Sequence, residues 1–361
     1  MRLNLRQTPV DRTEMKTLPE KSFNDIVPPE LLRLIRGNKR FLILSHVNPE
    51  GDSAGSCIAL ALGLKKIGKT VYILNRDPVP EILRFLPSSN LFSRDRKIRT
   101  QQFDVLFLVD CNTIERTGFK DIKTKNITVI DHHILHQPNA SENINSSQFP
   151  VPSSQLFSWI NPEAAAAGEL VYKLLDALHV PLDKAIAVNL YTAIFTDTGG
   201  FRYSNTRPET LSIASRLIEA GVDTWEITKE VYENISFNRL KLLTLCLSRL
   251  EKQGSSAWMT ITQDMFKKTN TSVQDTENFV DYTRKIKGVE VGILFRQEKK
   301  DLYKISFRSK GVVNVADIAI AFGGGGHSNA AGCTVKGSLD DVKEKVLKTV
   351  RASIKKSKKK I

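Results

Sequence analysis

Apolar residues in the first third of the chain fall into short unbroken runs. Phe41-Leu42-Ile43-Leu44-Ser45, Thr70-Val71-Tyr72-Ile73-Leu74, Phe103-Asp104-Val105-Leu106-Phe107-Leu108-Val109 and Thr128-Val129-Ile130 are of strand length and nearly without polar interruption, the pattern of strands buried on both faces. Between the first two, Ser53-Ala54-Gly55-Ser56 opens a segment with Ile58, Leu60, Leu62 and Leu64 before Gly68, which predicts a helix and hence a parallel strand–helix–strand unit. A short amphipathic helix is expected over 30–36, ending near Gly37. Residues 137–156, rich in Pro, Asn and Ser, read as a long loop. Helices are expected over 162–178, from Asp183 to about 196, over 208–220 and over 223–252, the last losing its apolar phase near Ser236-Phe237-Asn238. Past Gln253-Gly254-Ser255-Ser256 the pattern changes to short strands over 257–262, 289–295 and 302–307 and a short apolar helix over 315–322. The expected fold class is α/β. A parallel-sheet domain with helices on both faces (29–222) leads through connector helices (223–253) to a smaller mixed-sheet α/β domain (254–352), flanked by an arm (1–28) and a basic tail (353–361).

The strands end in unusual residues. Thr128-Val129-Ile130 runs into Asp131-His132-His133, the 103–109 strand into Asp110, and the first strand into His46-Val47-Asn48-Pro49-Glu50-Gly51-Asp52. Unpaired acids and imidazoles are costly to bury, and in a parallel sheet the carboxyl ends of strands lie on one edge. Asp197, in Thr196-Asp197-Thr198-Gly199-Gly200, supplies another acid at a chain reversal. Singly, each of these residues reads as a turn former or cap. Together they form a supply of oxygen and nitrogen ligands suited to hard divalent ions, manganese tolerating histidine better than magnesium, and to a binuclear centre. A second candidate is Gly323-Gly324-Gly325-Gly326-His327, read as a glycine-rich loop opening a helix, whose N–H groups suit a phosphate. Arg308, followed by Ser309, lies on a nearby strand end and can fork to the same group.

The net charge of +14 favours phosphate-rich partners, although most of the lysines serve solubility. The lysine run over 355–360 reads as a solvated, disordered end. The four scattered cysteines argue for free thiols in a reducing cytoplasm. No apolar run reaches the roughly 20 residues of a membrane span, and the opening residues lack the apolar centre of a secretory leader, so a cytoplasmic location away from membranes is expected.

Ser45-His46-Val47-Asn48-Pro49-Glu50-Gly51-Asp52, Val109-Asp110, Asp131-His132-His133, Thr196-Asp197-Thr198-Gly199 and the 323–332 stretch, in that order, resemble the DHH phosphoesterase family. More narrowly, they resemble its bacterial oligoribonuclease and pAp phosphatase (nanoRNase) group, with the last motif in a C-terminal DHH-associated domain. The resemblance covers about residues 29–352. It implies an active site in the cleft between the domains, with two divalent ions, most readily manganese. One would be held by His46, Glu50 and Asp110, the other by Asp52, Asp110, His132 and Asp197, with Asp110 bridging. Asp131 would orient His132, His133 would contact the substrate phosphate, and Arg308, Ser309, Gly325, Gly326 and His327 would bind the far end of the nucleotide. The family usually carries Asp where this chain has Glu50, and the loop over 139–152 is longer than usual.

The activity so implied is hydrolysis of short oligoribonucleotides to nucleoside 5′-monophosphates, and of 3′-phosphoadenosine 5′-phosphate (pAp) to AMP, by a water activated between the ions. The nearest alternative is a phosphodiesterase for cyclic or linear dinucleotides (c-di-AMP or pApA). Of another class is a non-catalytic RNA- or nucleotide-binding module, against which the full set of ligand-type residues argues. A homodimer is expected by resemblance alone.

Overall fold

A computed structural model describes residues 27–119, 122, 124–133, 155–326 and 328–358. The arm up to residue 26, the 139–152 insertion, His327 and the last three residues lie outside them. The chain divides into two compact units at Asn234/Ile235.

In the first unit, α1 (Pro29–Gly37) precedes the alternating series β1 (Arg40–Leu44), α2 (Gly51–Lys66) and β2 (Thr70–Leu74). The strands β3 (Phe92–Ser93), β4 (Phe103–Val109), β5 (Thr124–Asp131) and β6 (Gln155–Ile160) follow, then α3 (Ala167–Ala177), α4 (Lys184–Asp197), α5 (Pro208–Glu219) and α6 (Thr224–Thr228). Among the described residues the strands form one sheet of order β3-β2-β1-β4-β5-β6, every pairing parallel. Strand alternation divides its apolar side chains between two faces. Phe41, Ile43, Val105, Phe107 and Ile130 join the core made with α1 to α5, while Leu42, Leu44, Leu106, Leu108 and Val129 face the other way. Among the described residues, that second face is covered by 3₁₀ turns and loops that contribute Ile98, Ile114, Phe119 and Ile122. The cover is thus uneven, with the α-helices on one face.

Strand β6 falls at the end of the segment read as a loop. It is an edge strand with Leu156, Phe157 and Ser158 half-buried, so its sequence lacks the unbroken apolar run that marks the central strands. Helix α2 is small-residue-rich for a packing reason. A Cβ at Gly55 would run into the Asn189 carbonyl and Ala193 of α4, and one at Gly51 into the Thr196 side chain. The bare backbone lets α2 and the end of α4 meet closely, which sets Asp52 near Asp197.

The second unit contains α7 (Phe237–Leu247), β7 (Glu251–Gln253), β8 (Ser256–Ile261), α8 (Gln263–Thr269), α9 (Phe279–Arg284), β9 (Val291–Lys299) and β10 (Leu302–Ser309). It closes with α10 (Val315–Ile320), β11 (Gly325–Gly326), β12 (Ala330–Lys336) and α11 (Leu339–Lys358). Its sheet, of order β11-β12-β10-β9-β8-β7, is antiparallel except for the β8–β9 pair. Trp258, Ile293, Phe295, Ile305 and Phe307 pack on one face with α10 and α11, and Met259, Ile261 and Leu294 on the other with α7, α8 and α9.

Two expectations are corrected here. The lysine run was read as a disordered end, yet α11 continues to Lys358. Val342, Val346, Leu347 and Val350 dock on the sheet with Ile354 packed beside them, and Lys is itself a good helix former, so the helix carries through. The glycine run does not open a helix. It follows α10, and its last two glycines form the edge strand β11 against β12. Close approach explains the composition: a Cβ at Gly324 would strike the Gly332 carbonyl, and one at Gly326, whose φ is +141°, would fall 2.5 Å from the Ala330 carbonyl oxygen.

Candidate metal centre

Three loops at the carboxyl edge of the first sheet are laced together. Asn75, buried at the end of β2, donates from Nδ2 to Ser45 Oγ (2.8 Å) and to the His46 carbonyl (3.1 Å). Val47 N–H donates to the Arg116 carbonyl at 2.8 Å. His46 Nδ1 lies 2.8 Å from the Val47 carbonyl, which fixes the tautomer with Nδ1–H donating and turns Nε2 toward the acids. That nitrogen stands 3.3 Å from Asp110 Oδ2 and 3.9 Å from Glu50 Oε1. His132 repeats the arrangement. Its Nδ1 is 3.3 Å from the Ala164 carbonyl, and its Nε2 faces Asp52 Oδ2, Asp197 Oδ2 and Asp110 Oδ1 at 3.6, 3.6 and 3.7 Å. The two oxygens of Asp110 therefore face two different sets of ligand-type atoms.

Asp110 sits directly after β4 with φ of +54°, a left-handed backbone seldom adopted by residues with a Cβ but tolerated by Asp and Asn. Asp52 is nearly inaccessible, at 1% exposure. Its Oδ2 accepts from Ala167 N–H (2.7 Å), and its Oδ1 from Gly168 N–H (2.9 Å) and from Ser56 Oγ (2.8 Å), so the N-terminus of α3 cradles the carboxylate. Glu50 caps α2. Its oxygens accept from the N–H groups of Asp52 (3.2 Å) and Ser53 (3.0 Å), the longer side chain folding back over the helix end. Asp131 Oδ1 accepts from the His132 and His133 N–H groups (2.7 and 3.1 Å) and lies 2.6 Å from His133 Nδ1. This corrects the role implied for Asp131. The ring it orients is that of His133, whereas the His132 ring is held by Ala164.

The electrostatics follow the crowding. Burial first, then the charges of Asp52, Glu50, Asp131 and Asp197, push Asp110 well above the usual carboxylate range. Burial and the Asp52 charge do the same to Asp197, and burial raises Asp52 against the pull of His132. Burial opposes protonation of His46 and His132, but Glu50 in the first case and Asp52 and Asp197 in the second outweigh it and raise both. Glu50 is the exception. Burial works against its ionisation, yet its bonds with His46 and Ser53 N–H hold it down at about 2.

The DHH family N-terminal domain matches residues 40–194, and the DHHA1 domain matches residues 256–356. The bifunctional oligoribonuclease and PAP phosphatase NrnA of Thermus thermophilus is 31% identical over 328 residues, spanning 90% of this chain and 93% of its own length. The chain belongs to the DHH family. A Mycoplasma genitalium protein of the same description is 27% identical, over 89% of this chain and 97% of that one. The crystal structure of an exopolyphosphatase-related protein from Bacteroides fragilis matches with a TM-score of 0.77 at 27% identity, covering 92% of this chain and 96% of that one. As a DHH-family member, the chain is a hydrolase acting on phosphoester bonds.

The residues present fit divalent ions. His46, Glu50 and Asp110 bring ligand atoms within 4.8 Å of one another, as do Asp52, His132 and Asp197, and Asp110, Asp131, His132 and His133. Asp110 Oδ1 is buried without a hydrogen-bond partner, a costly state for a carboxylate oxygen unless a cation meets it.

In the DHHA1 unit, the end of β10 lies beside the glycine-rich segment, with Arg308 opposite Ala330 and Ser309 N–H donating to the Asn329 carbonyl at 2.9 Å. Arg308 Nε is 3.6 Å from Asp281 Oδ1, an oxygen shared with Arg284 at 3.3 Å. Gly325 and Gly326 are exposed. Ser309 is buried, and its hydroxyl donates to Glu290 Oε1 (3.0 Å) while accepting from Gly311 N–H (3.0 Å), so it shapes the turn after the strand. His327 lies outside the described residues.

Ala167, Gly168 and Ser56, which cradle Asp52, and the Ala164 carbonyl, which holds His132, escaped the sequence reading. The signal available was the run of small residues over 164–168, taken only as the body of a helix.

Proposed function

We propose that this DHH-family hydrolase uses two divalent ions, manganese foremost, to hydrolyse short oligoribonucleotides to nucleoside 5′-monophosphates and to convert pAp to AMP. The observation that carries the reading is Asp110, whose two oxygens face the His46–Glu50 side and the His132 side separately. The substrates are those in the names of the NrnA relatives, which match along nearly their whole length. His46, Glu50 and Asp110 would hold one ion, and Asp52, Asp110, His132 and Asp197 the other, the mixed carboxylate and imidazole set favouring manganese. When bound, such ions supply Lewis-acid charge and acidify a water poised for attack on phosphorus.

The chain's own residues do the rest. His133, with Nδ1 directed at Asp131, would meet a phosphoryl oxygen through its ring and offset the charge that develops there. Asp131 holds that ring in place, and the Ala167 and Gly168 N–H groups hold Asp52. Arg308, Gly325, Gly326 and His327 of the DHHA1 domain would bind the remainder of the nucleotide. The test is hydrolysis of a ribodinucleotide, pAp and c-di-AMP with manganese. Turnover of the first two supports the proposal. Preference for c-di-AMP would reassign the enzyme to cyclic dinucleotides, and turnover of none would favour a binding module.

A further inference from the structure

Arg116 and Arg76 stand on the same sheet edge as the metal centre and have no place in the ligand set. Arg116 lies in a 3₁₀ turn, Glu115–Thr117, six residues past Asp110. The turn is rigidly seated. Thr117 is fully buried and donates from Oγ1 to the Ile114 carbonyl at 2.6 Å, and Ile114 and Phe119 anchor it in the apolar face beneath the sheet. Arg116 itself is half-exposed, and its carbonyl is tied to Val47, next to His46. Arg76 follows Asn75, whose amide holds the His46 turn, and its side chain lies across Gly118, with Cδ 2.8 Å from where a Cβ would stand. Among the described residues, neither guanidinium has a hydrogen-bond or ion-pair partner.

An unpaired guanidinium held by a rigid turn beside a cluster of carboxylates calls for an anion. Glu50, Asp52, Asp110, Asp131 and Asp197 carry five negative charges when ionised, one more than two divalent ions offset. A phosphate monoester dianion would meet net repulsion there, a diester monoanion less. We infer that Arg116, assisted by Arg76, contacts the reacting phosphoryl group and gives the site its competence toward terminal phosphate monoesters over internal diesters. This rests on the phosphoesterase reading above and adds a residue that decides between its two substrate classes.

The experiment compares wild type, Arg116→Ala, Arg116→Lys and Arg76→Ala, with manganese, on pAp and on a ribodinucleotide. Calorimetric titration of each with inorganic phosphate accompanies the kinetics, since phosphate is the product of monoester hydrolysis. For Arg116→Ala, kcat/KM on pAp should fall about 10- to 100-fold, the range of a lost hydrogen bond to a charged group, against about 3-fold or less on the dinucleotide. Phosphate affinity should weaken about 10-fold or more. Arg116→Lys should recover most of both, and Arg76→Ala should show a smaller loss of the same selectivity. Equal losses on the two substrates, or unchanged phosphate affinity, would overturn the inference. Should wild type hydrolyse neither substrate, the function proposal fails by itself while the phosphate titration still decides the role of Arg116. Melting temperatures separate misfolding from lost contact, and Arg116→Lys carries the test if the alanine variant does not fold.

Discussion

The two sheets deliver their chemistry in opposite ways. In the first, every described pairing is parallel, so residues scattered from His46 to Asp197 arrive at one edge and meet within a few ångströms. In the second, every described pairing but β8–β9 is antiparallel, and the candidate groups come from β10 and β11, which flank β12. Convergence from many elements produces buried, mutually repelling carboxylates. The local arrangement of the second sheet leaves exposed glycine backbone and an arginine already shared with Asp281. The first region gathers groups that could hold ions, whereas the second offers exposed backbone to lighter contact.

The largest effect that could break this contrast is at Asp110. Asp110→Asn keeps a side chain that tolerates the left-handed backbone but removes the shared charge. Turnover of a ribodinucleotide should fall roughly 1,000-fold or more, while the metal-free protein melts no lower than wild type, because a crowded buried carboxylate has gone. Near-normal turnover would end the bridging role. Next, Arg308→Ala should raise KM about 10-fold with kcat nearly unchanged, the signature of substrate binding away from the reacting atoms. Ser309→Ala should cost about 1 kcal/mol in chemical denaturation with KM unmoved. The reverse pattern at Ser309 would restore it to the substrate set.

Stability against pH gives a further test. Without metal, Asp110 and Asp197, raised above the usual carboxylate range, hold protons that the unfolded chain has released. Their stabilising contribution is present in acid and declines as pH rises through the raised values. His46 and His132, raised above 6.5, act in the same direction, their contribution being complete below 6.5 and lost above it. Glu50, held at about 2, opposes them only in acid, losing its contribution as pH falls from 4.5 toward that value. From about pH 5 to 8 the melting temperature in EDTA should therefore fall, and saturating manganese should flatten or reverse the slope. A rise with pH in EDTA would contradict the crowding described for the first sheet edge. The smallest effect is expected at Glu50→Asp. The shorter acid keeps the N-cap and the charge, so turnover should change by no more than about 3-fold, and the manganese concentration for half-maximal rate is the quantity to follow.

The first region was the more legible in sequence, for a physical reason. Central parallel strands are apolar on both faces, so 41–45 and 103–109 declare themselves, and the polar residue after each marks the functional edge. Strand β6 was missed because an edge strand buries only part of its surface. The cradle around Asp52 was missed because it is made of main-chain N–H groups, which any residue offers and which only the packing of α3 against α2 brings into place. In the second unit the glycine run was recognised but assigned to a helix start. Its purpose, close approach to β12, depends on an antiparallel pairing that composition does not reveal.

The bonds from Ala167 and Gly168 to Asp52 also span 115 and 116 positions of chain, and that separation bears on when the centre comes into being. A growing polypeptide has made Asp52 and Asp110 long before α3 exists to fix the carboxylate, and pairing so distant in sequence is slow to form. A nascent chain that has not yet made α3 should bind manganese loosely or not at all, with tight uptake following the docking of α3. Ion capture would then mark the completion of the first unit.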